Sequence, residues 1–73
     1  MNANLEPLAN AIRRQRECLG LSQEALAGRC GFDRTYISML ERGRRNPSFL
    51  NLLRLAKGLE TRVSTLALAY DGA

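Results

Sequence analysis

The sequence predicts an all-α fold of five short helices, on three observations. No segment of the 73 residues alternates apolar and polar side chains with the period of two that a half-buried β-strand shows. Apolar residues instead recur at helical spacing, as Leu5, Leu8 and Ile12 do near the start of the chain. Serine and glycine stand between these runs, where helices begin and end. We therefore expect residues 1–73 to form one helical domain, close to the lower size limit for a stable core.

The first helix is expected to begin near Leu5, after a frayed segment at residues 1–4. Asn4 is a candidate cap, and Pro7 is tolerated because it falls in the first turn. The apolar stripe of this helix continues to Leu19 but is interrupted by Arg16. A charged side chain on a buried stripe is costly unless it is paired, so Arg16 predicts a partner.

The second helix opens after Ser22, which is a favourable N-cap residue. Its apolar side is predicted to carry Ala25, Leu26 and Cys30. Gly31 ends it, because a residue without Cβ adopts the left-handed conformation that closes many helices.

The third helix is predicted to begin after Asp33 as its cap and to end at Gly43. Ile37 and Leu40 share the face that packs on the second helix, which leaves four other side chains pointing away from it. We call these four the reading face: Arg34, Thr35, Ser38 and Met39. Two short helices joined by a tight glycine turn and followed by a basic loop describe a helix-turn-helix over about residues 22–42.

The fourth helix follows a second serine cap, Ser48, and ends at Lys57-Gly58. Its apolar residues are expected in the core and at an interface: Phe49, Leu52, Leu53, Leu55 and Ala56. A fifth helix carries Val63, Leu66 and Ala67 and is expected to reach Tyr70.

From Ala11 to Leu66 the sequence resembles the phage-repressor and Xre-type helix-turn-helix domains, which include the small controller proteins of restriction–modification genes. The matching segments are Leu19–Ala27, Tyr36–Ser38, Leu40–Ser48, Leu52–Leu53 and Leu55–Ala56. The resemblance implies a five-helix DNA-binding domain that works as a homodimer. The chain departs from the family pattern at Gly58, Glu60 and Thr61, where relatives usually have Ala, Gly and Val. This leaves the geometry of the turn after the fourth helix open.

The resemblance also implies a partner for Arg16. In phage-repressor relatives an arginine and a glutamate at matching positions form a buried ion pair. Glu41 occupies the matching position here, at the end of the third helix. We therefore expect an Arg16–Glu41 pair that holds the first helix to the third.

In a helix-turn-helix the second helix of the motif lies in the major groove with its N-terminal residues at the base edges. On this pattern Arg34 is a candidate for two hydrogen bonds to guanine, with a phosphate contact as the alternative. Thr35 offers a hydroxyl to a base or a methyl group to thymine. Ser38 and Met39 follow one turn later. Met39 cannot donate a hydrogen bond, so it either contacts a thymine methyl group or packs within the domain.

A second set of side chains is expected to contact the DNA backbone and fix the register of the reading face. We call this set the phosphate flank: Gln23, Tyr36, Arg42, Arg44, Arg45 and Asn46. Gln23 opens the second helix, where amide groups and the helix dipole suit a phosphate, and by resemblance it braces the reading helix. The alternative for Gln23 is an ordinary solvated position, and for Arg42 a plain surface charge.

Dimerisation is expected to use apolar residues that the monomer core leaves over. The candidates are Leu50, Leu59, Val63, Leu66, Leu68 and Tyr70. The alternative is that most of them belong to the core of one chain.

Composition agrees with a nucleic-acid partner. The net charge is +4, with 11 lysines and arginines against 7 acidic residues, and nearly all of the cations are arginine, which suits bidentate contact with phosphates and guanine. We find no long apolar run and no signal-peptide pattern, so we expect a cytoplasmic, nucleoid-associated protein with no membrane partner.

The two cysteines predict neither a metal site nor a disulfide. Cys18 and Cys30 lack CxxC spacing, and the sequence contains no histidine to complete a zinc site or a catalytic dyad. Cys30 falls on an apolar face and is expected to be buried, whereas Cys18 is expected to be partly exposed. With no phosphate-binding glycine loop either, we expect no cofactor and no enzymatic activity.

Three classes of function remain to be weighed. The first is a sequence-specific transcription regulator that binds double-stranded DNA as a homodimer, such as a restriction–modification controller. The second is the antitoxin of a toxin–antitoxin pair, which would require an additional segment to bind the toxin. The third is a protein-interaction module, which would not require arginines around the reading helix. Whether DNA binding represses or activates stays open; activation would need a surface for RNA polymerase, for which Glu24 is a candidate.

Overall fold

The computed structural model describes residues 4–71, with only the backbone described for residues 70 and 71. Within this range the chain forms five helices and no strand, so the all-α prediction is confirmed. The helices are α1 (Glu6–Cys18), α2 (Gln23–Cys30), α3 (Arg34–Glu41), α4 (Phe49–Gly58) and α5 (Val63–Asp71). α3 packs on α1 and α2, and α5 packs on α1 and α4. No helix in the described range is both long and apolar enough to cross a membrane.

A single apolar core lies between the five helices. Its fully buried large side chains are Leu8, Ile12, Leu26, Ile37, Leu40, Leu55, Leu59 and Leu66. On α2 the buried small residue is Ala27, whereas Ala25, which we expected on the apolar side, is exposed. Cys30 is buried and Cys18 is exposed, as expected.

The expected dimer surface needs correction at Leu59 and Leu66. Both side chains are fully buried within the single chain, at 0% and 1% exposure, so they cannot contact a second chain. The reason is that α5 lies between α1 and α4, which turns Leu66 into the core. Val63 is partly buried against the same core, and the side chain of Tyr70 lies outside the described residues.

Serine caps begin two of the helices as predicted. The Ser22 and Ser48 hydroxyl oxygens accept hydrogen bonds from the amides of Ala25 and Asn51, at 3.0 and 3.1 Å. Asp33 holds the N-cap position of α3, but its side chain accepts no capping hydrogen bond, contrary to our expectation. At the start of α1, the Asn4 side chain accepts a hydrogen bond from the amide of Glu6 at 3.1 Å.

The first four helices end in the same way, with a left-handed residue followed by an amide that donates to the carbonyl five residues earlier. Glycine takes the left-handed position after α1, α2 and α3. After α4 the position is occupied by Glu60, with φ of 55°. The turn after α4 therefore keeps the usual geometry despite the unusual residue, at a conformational cost on the order of 1–2 kcal/mol.

The departure at Gly58 follows from the packing of α4 on α2. Gly58 lies so close to α2 that a Cβ there would come 2.5 Å from the Cys30 sulfur. A residue with a Cβ at position 58 would therefore collide with the Cys30 side chain, and glycine avoids this collision. Arg29 holds the turn from outside, donating to the Gly58 carbonyl at 3.2 Å and to the Glu60 carboxylate at 2.8 Å.

Candidate nucleic-acid interface

The two ends of α3 differ sharply in exposure. Ile37, Leu40 and Glu41 are buried, whereas Arg34 and Thr35 at the N-terminal end are exposed. Ser38 and Met39, one turn further on, are partly buried. The reading face thus begins at an open helix end that points away from the core, as a surface for an external ligand must.

The C-terminal end of α3 is fixed by an ion pair with α1. Arg16 donates from Nε to Glu41 Oε2 at 2.7 Å and from Nη2 to Oε1 at 3.0 Å, which is a bidentate arrangement. The two side chains are only 13% and 3% exposed. The hydrogen bond to Glu41 raises the pKa of Arg16 above its usual value, although burial acts in the opposite direction. The Arg16 guanidinium therefore keeps its positive charge in this pair.

Arginines of α1 hold the surrounding backbone as well. Arg16 Nη1 donates to the carbonyl of Leu21 at 2.7 Å, which fixes the loop between α1 and α2. Arg13 Nη2 donates to the carbonyl of Glu41 at 2.8 Å and so binds the last turn of α3. Because the C-terminal end of a helix carries partial negative charge, this arginine stabilises it electrostatically as well.

Gln23 lies between the two ends of α3. Its Nε2 donates to Glu41 Oε1 at 3.2 Å, and its Oε1 accepts from Arg34 Nη1 at 3.4 Å. The buried carboxylate of Glu41 therefore determines which way the Gln23 amide faces, and the amide oxygen faces Arg34. Gln23 therefore links Glu41, at the anchored end of α3, to the exposed side chain of Arg34 and helps to position it.

The rest of the phosphate flank surrounds the exit from α3. Arg42, Arg44, Arg45 and Asn46 are exposed, and Tyr36 is partly buried. Gly43 takes the left-handed conformation (φ 69°), and the amide of Arg44 closes the helix by donating to the Met39 carbonyl at 2.9 Å. The basic loop thus leaves the helix in a defined direction beside the reading face.

Tyr36 is held by aromatic and cationic neighbours. Its ring meets the Phe32 ring edge to face, with centroids 4.8 Å apart. The Arg45 guanidinium carbon lies 5.2 Å from the centroid of the Tyr36 ring, within cation–π range. This contact brings a charge from the basic loop to a side chain of α3.

The turn between α2 and α3 is held by an arginine of α4. Arg54 donates to the carbonyls of Cys30 and Gly31 at 3.0 and 2.8 Å, and its guanidinium carbon lies 4.3 Å from the centroid of the Phe32 ring. Carbonyls at the C-terminal end of a helix have no amide partner within the helix, so Arg54, which bonds these two, acts as a cap supplied from another helix. A side chain at Gly31 would be strained at φ of 74° and would contact Arg54.

The structure therefore brings the reading face and the phosphate flank to one region, around α3 and the loop that follows it. Sequence reasoning missed Arg13, Asn51 and Arg54, whose contacts support this region. The contact of Arg13 could have been expected from the sequence, because Arg13 lies three residues before Arg16 on the same face of α1. For Asn51 and Arg54 no local signal exists, since each contacts a residue at least 15 positions away.

A comparison with family models matches residues 12–66 to the family described as "Helix-turn-helix". Among curated proteins, the control protein C.SmaI of Serratia marcescens is 46% identical over 61 residues, which cover 84% of this chain and 73% of the relative. An uncharacterized HTH-type transcriptional regulator of Sinorhizobium fredii is 49% identical over 51 residues. Those residues cover 70% of this chain and 65% of that regulator.

Solved structures of the same kind superpose closely. The restriction–modification controller protein C.AhdI from Aeromonas hydrophila matches with a TM-score of 0.84 at 42% identity, over 89% of this chain and 98% of that one. The controller C.Esp1396I, solved as a tetramer in complex with its natural 35 base-pair operator, matches with a TM-score of 0.83 at 32% identity. That match covers 99% of this chain and 95% of the controller.

Proposed function

The chain belongs to the helix-turn-helix family of DNA-binding transcriptional regulators, and we propose that it acts as a homodimer on a pseudo-palindromic operator. The observation that carries this proposal is the exposed N-terminal end of α3, which presents Arg34 and Thr35 while the other end is held by a buried ion pair. In this geometry α3 enters the major groove with its first turn at the base edges.

Arg34 is the strongest candidate for sequence recognition. Its planar guanidinium can donate two hydrogen bonds to O6 and N7 of a guanine, a pattern that the other bases do not present in the major groove. Thr35 contributes a hydroxyl or a methyl contact, and Ser38 and Met39 extend the contact by one turn. Because Met39 is partly buried and has no donor, its contribution is an apolar contact with a thymine methyl group or packing within the domain.

The phosphate flank holds this end of α3 in register. Arg42, Arg44 and Arg45 supply positive charge, Gln23, Tyr36 and Asn46 supply polar groups, and all six lie on α2, α3 or the loop after α3. Such contacts carry no sequence information but provide most of the affinity. The phosphate flank therefore sets affinity, and the reading face sets specificity.

A homodimer follows from the length of the reading helix. One helix of eight residues contacts only a few base pairs, whereas two helices about 34 Å apart read two half-sites and multiply the discrimination. The structure leaves apolar side chains for such an interface on α4 and α5. Phe49, Leu50 and Leu53 share one face of α4, and Leu68 projects from α5; all four are exposed, Leu68 by 70%.

The regulated genes are proposed to be those of a restriction–modification system. The support is the similarity to C.SmaI and C.AhdI, both named as controllers, and to C.Esp1396I, which is a tetramer on its operator. We expect the protein to work on chromosomal or plasmid DNA in the cytoplasm. RNA polymerase is a further partner if binding activates transcription.

A salt titration of DNA binding tests the proposal. Fluorescence anisotropy of a labelled random-sequence duplex should show that the logarithm of the association constant falls linearly with the logarithm of salt concentration, with a slope of about −0.9 for each cation–phosphate contact. DNA binding that is absent, or that does not respond to salt, would contradict a nucleic-acid function.

Sedimentation at micromolar concentration should show a species of twice 8.1 kDa, and Leu50→Glu or Leu68→Glu should shift it toward the monomer. A wild-type chain found only at 8.1 kDa would contradict the homodimer.

A further inference from the structure

We propose that Asn51 is a positioning residue of the DNA interface, which orients the Tyr36 hydroxyl so that its single proton is donated to a DNA phosphate. Asn51 lies on α4, outside the helix-turn-helix. The inference rests on the proposed function, since it names a residue that acts on DNA through Tyr36.

A hydrogen bond joins the side chains of Asn51 and Tyr36. Asn51 Nδ2 donates to Tyr36 Oη at 3.0 Å, and both side chains are partly buried. A phenol group carries one proton and accepts through its oxygen. Because the Asn51 amide supplies the proton for this contact, the Tyr36 proton is not used in it. That proton is therefore available to a second acceptor outside the protein.

The Tyr36 ring is restrained, so its hydroxyl stays in one place. Phe32 contacts the ring edge to face at 4.8 Å, and the Arg45 guanidinium lies 5.2 Å from its centroid. Arg45 also places a positive charge beside Tyr36, which favours an anionic acceptor there. A phosphate oxygen fits both the free proton and the charge.

Asn51 is the third residue after the serine cap of its own helix. Ser48 caps α4, and its hydroxyl accepts from the Asn51 amide nitrogen at 3.1 Å. A glutamate or glutamine three residues after a serine cap commonly turns back to bond the backbone of the cap. Asn51 occupies this position, but its side chain turns to Tyr36 instead. The contact therefore joins the start of α4 to α3, across the basic loop between them.

A double-mutant cycle tests the inference. We expect Asn51→Ala to weaken binding about threefold to tenfold, the effect of one hydrogen bond, on preferred and random duplexes alike. In a Tyr36→Phe background the same substitution should have no effect, because the hydroxyl through which Asn51 acts is missing. Since the contact is uncharged, the dependence of affinity on salt should keep its slope. Arg45→Ala is the matched control, because it removes a charge from the same place and should lower that slope.

Asn51→Asp provides a second variant that should fold, because an acidic residue in the first turn of a helix is favourable. Its carboxylate would accept the Tyr36 proton and withdraw it from the phosphate. Binding should weaken more in the Tyr36 background than in the Tyr36→Phe background, where only charge repulsion remains.

Two results would overturn the inference while leaving DNA binding in place. One is unchanged affinity in Asn51→Ala, and the other is an equal loss in both backgrounds, which would mark Asn51 as a structural residue only. Thermal unfolding of each variant shows whether the fold persists. If the wild-type chain itself does not bind DNA, the proposed function fails first and the inference fails with it.

Discussion

The two ends of α3 differ in exposure and in bonding, although the helix is only eight residues long. At the C-terminal end, Glu41 is 3% exposed and is bonded to Arg16 and Gln23. At the N-terminal end, Arg34 is exposed, and its hydrogen bond to Gln23 is long, at 3.4 Å. Stability should therefore depend on one end of the helix and DNA recognition on the other. An exposed contact surface is thus positioned by contacts made a helix length away.

The largest expected effect is at the anchored end. Glu41→Ala leaves the Arg16 guanidinium buried without its partner, which should cost about 3–5 kcal/mol of stability. For a domain of this size the melting temperature should fall by more than about 12 °C. Thermal or urea denaturation followed by circular dichroism measures this directly.

Glu24→Ala is the matched control for this prediction, because Glu24 is an exposed glutamate on α2. Its removal should change the unfolding free energy by no more than about 0.5 kcal/mol. If Glu41→Ala melts at the wild-type temperature, the ion pair does not anchor α3, and the contrast between the two ends disappears.

The next effect is at the reading end. Arg34→Ala should leave the unfolding free energy within about 0.5 kcal/mol of wild type, because the side chain is exposed. Its affinity for the preferred duplex should nevertheless fall by about 1–3 kcal/mol, the discrimination of one bidentate guanine contact. Anisotropy titrations against a preferred and a random duplex measure the difference. An equal loss on both would assign Arg34 to the phosphate backbone instead.

The smallest effect is expected in the basic loop. Arg45→Ala should weaken binding to all sequences about equally and lower the salt slope by about one ion. Arg14→Ala is the control, because Arg14 is an exposed arginine in the groove between α1 and α5. It should leave the slope unchanged. A loss in Arg45→Ala for one sequence only would contradict a phosphate contact.

Features of the fold that depend on local pattern could be predicted from the sequence. Ser22, Ser48 and Gly31 stand where caps and turns are needed, and the structure uses them in that way. The Arg16–Glu41 pair could be expected for a different reason. An arginine on an apolar stripe requires a partner, and resemblance to a family named that partner.

Features that depend on packing between distant helices could not be predicted. Leu59 and Leu66 were expected at a dimer surface but lie in the core, because helical spacing does not say which neighbours α4 and α5 meet. The contacts of Asn51 and Arg54 join helices far apart in sequence. The compatibility of Gly58 with Cys30 likewise appears only when α4 lies against α2.

A binding-site selection on random DNA, carried out with wild-type protein and with Arg34→Ala, tests most directly whether the N-terminal end of α3 reads the operator. The wild-type protein should enrich two inverted half-sites about one helical turn apart, each with a fixed guanine. Arg34→Ala should enrich the same spacing but lose the preference at that guanine alone. If the wild-type protein enriches no sequence, or the guanine persists without Arg34, the N-terminal end of α3 does not read the operator.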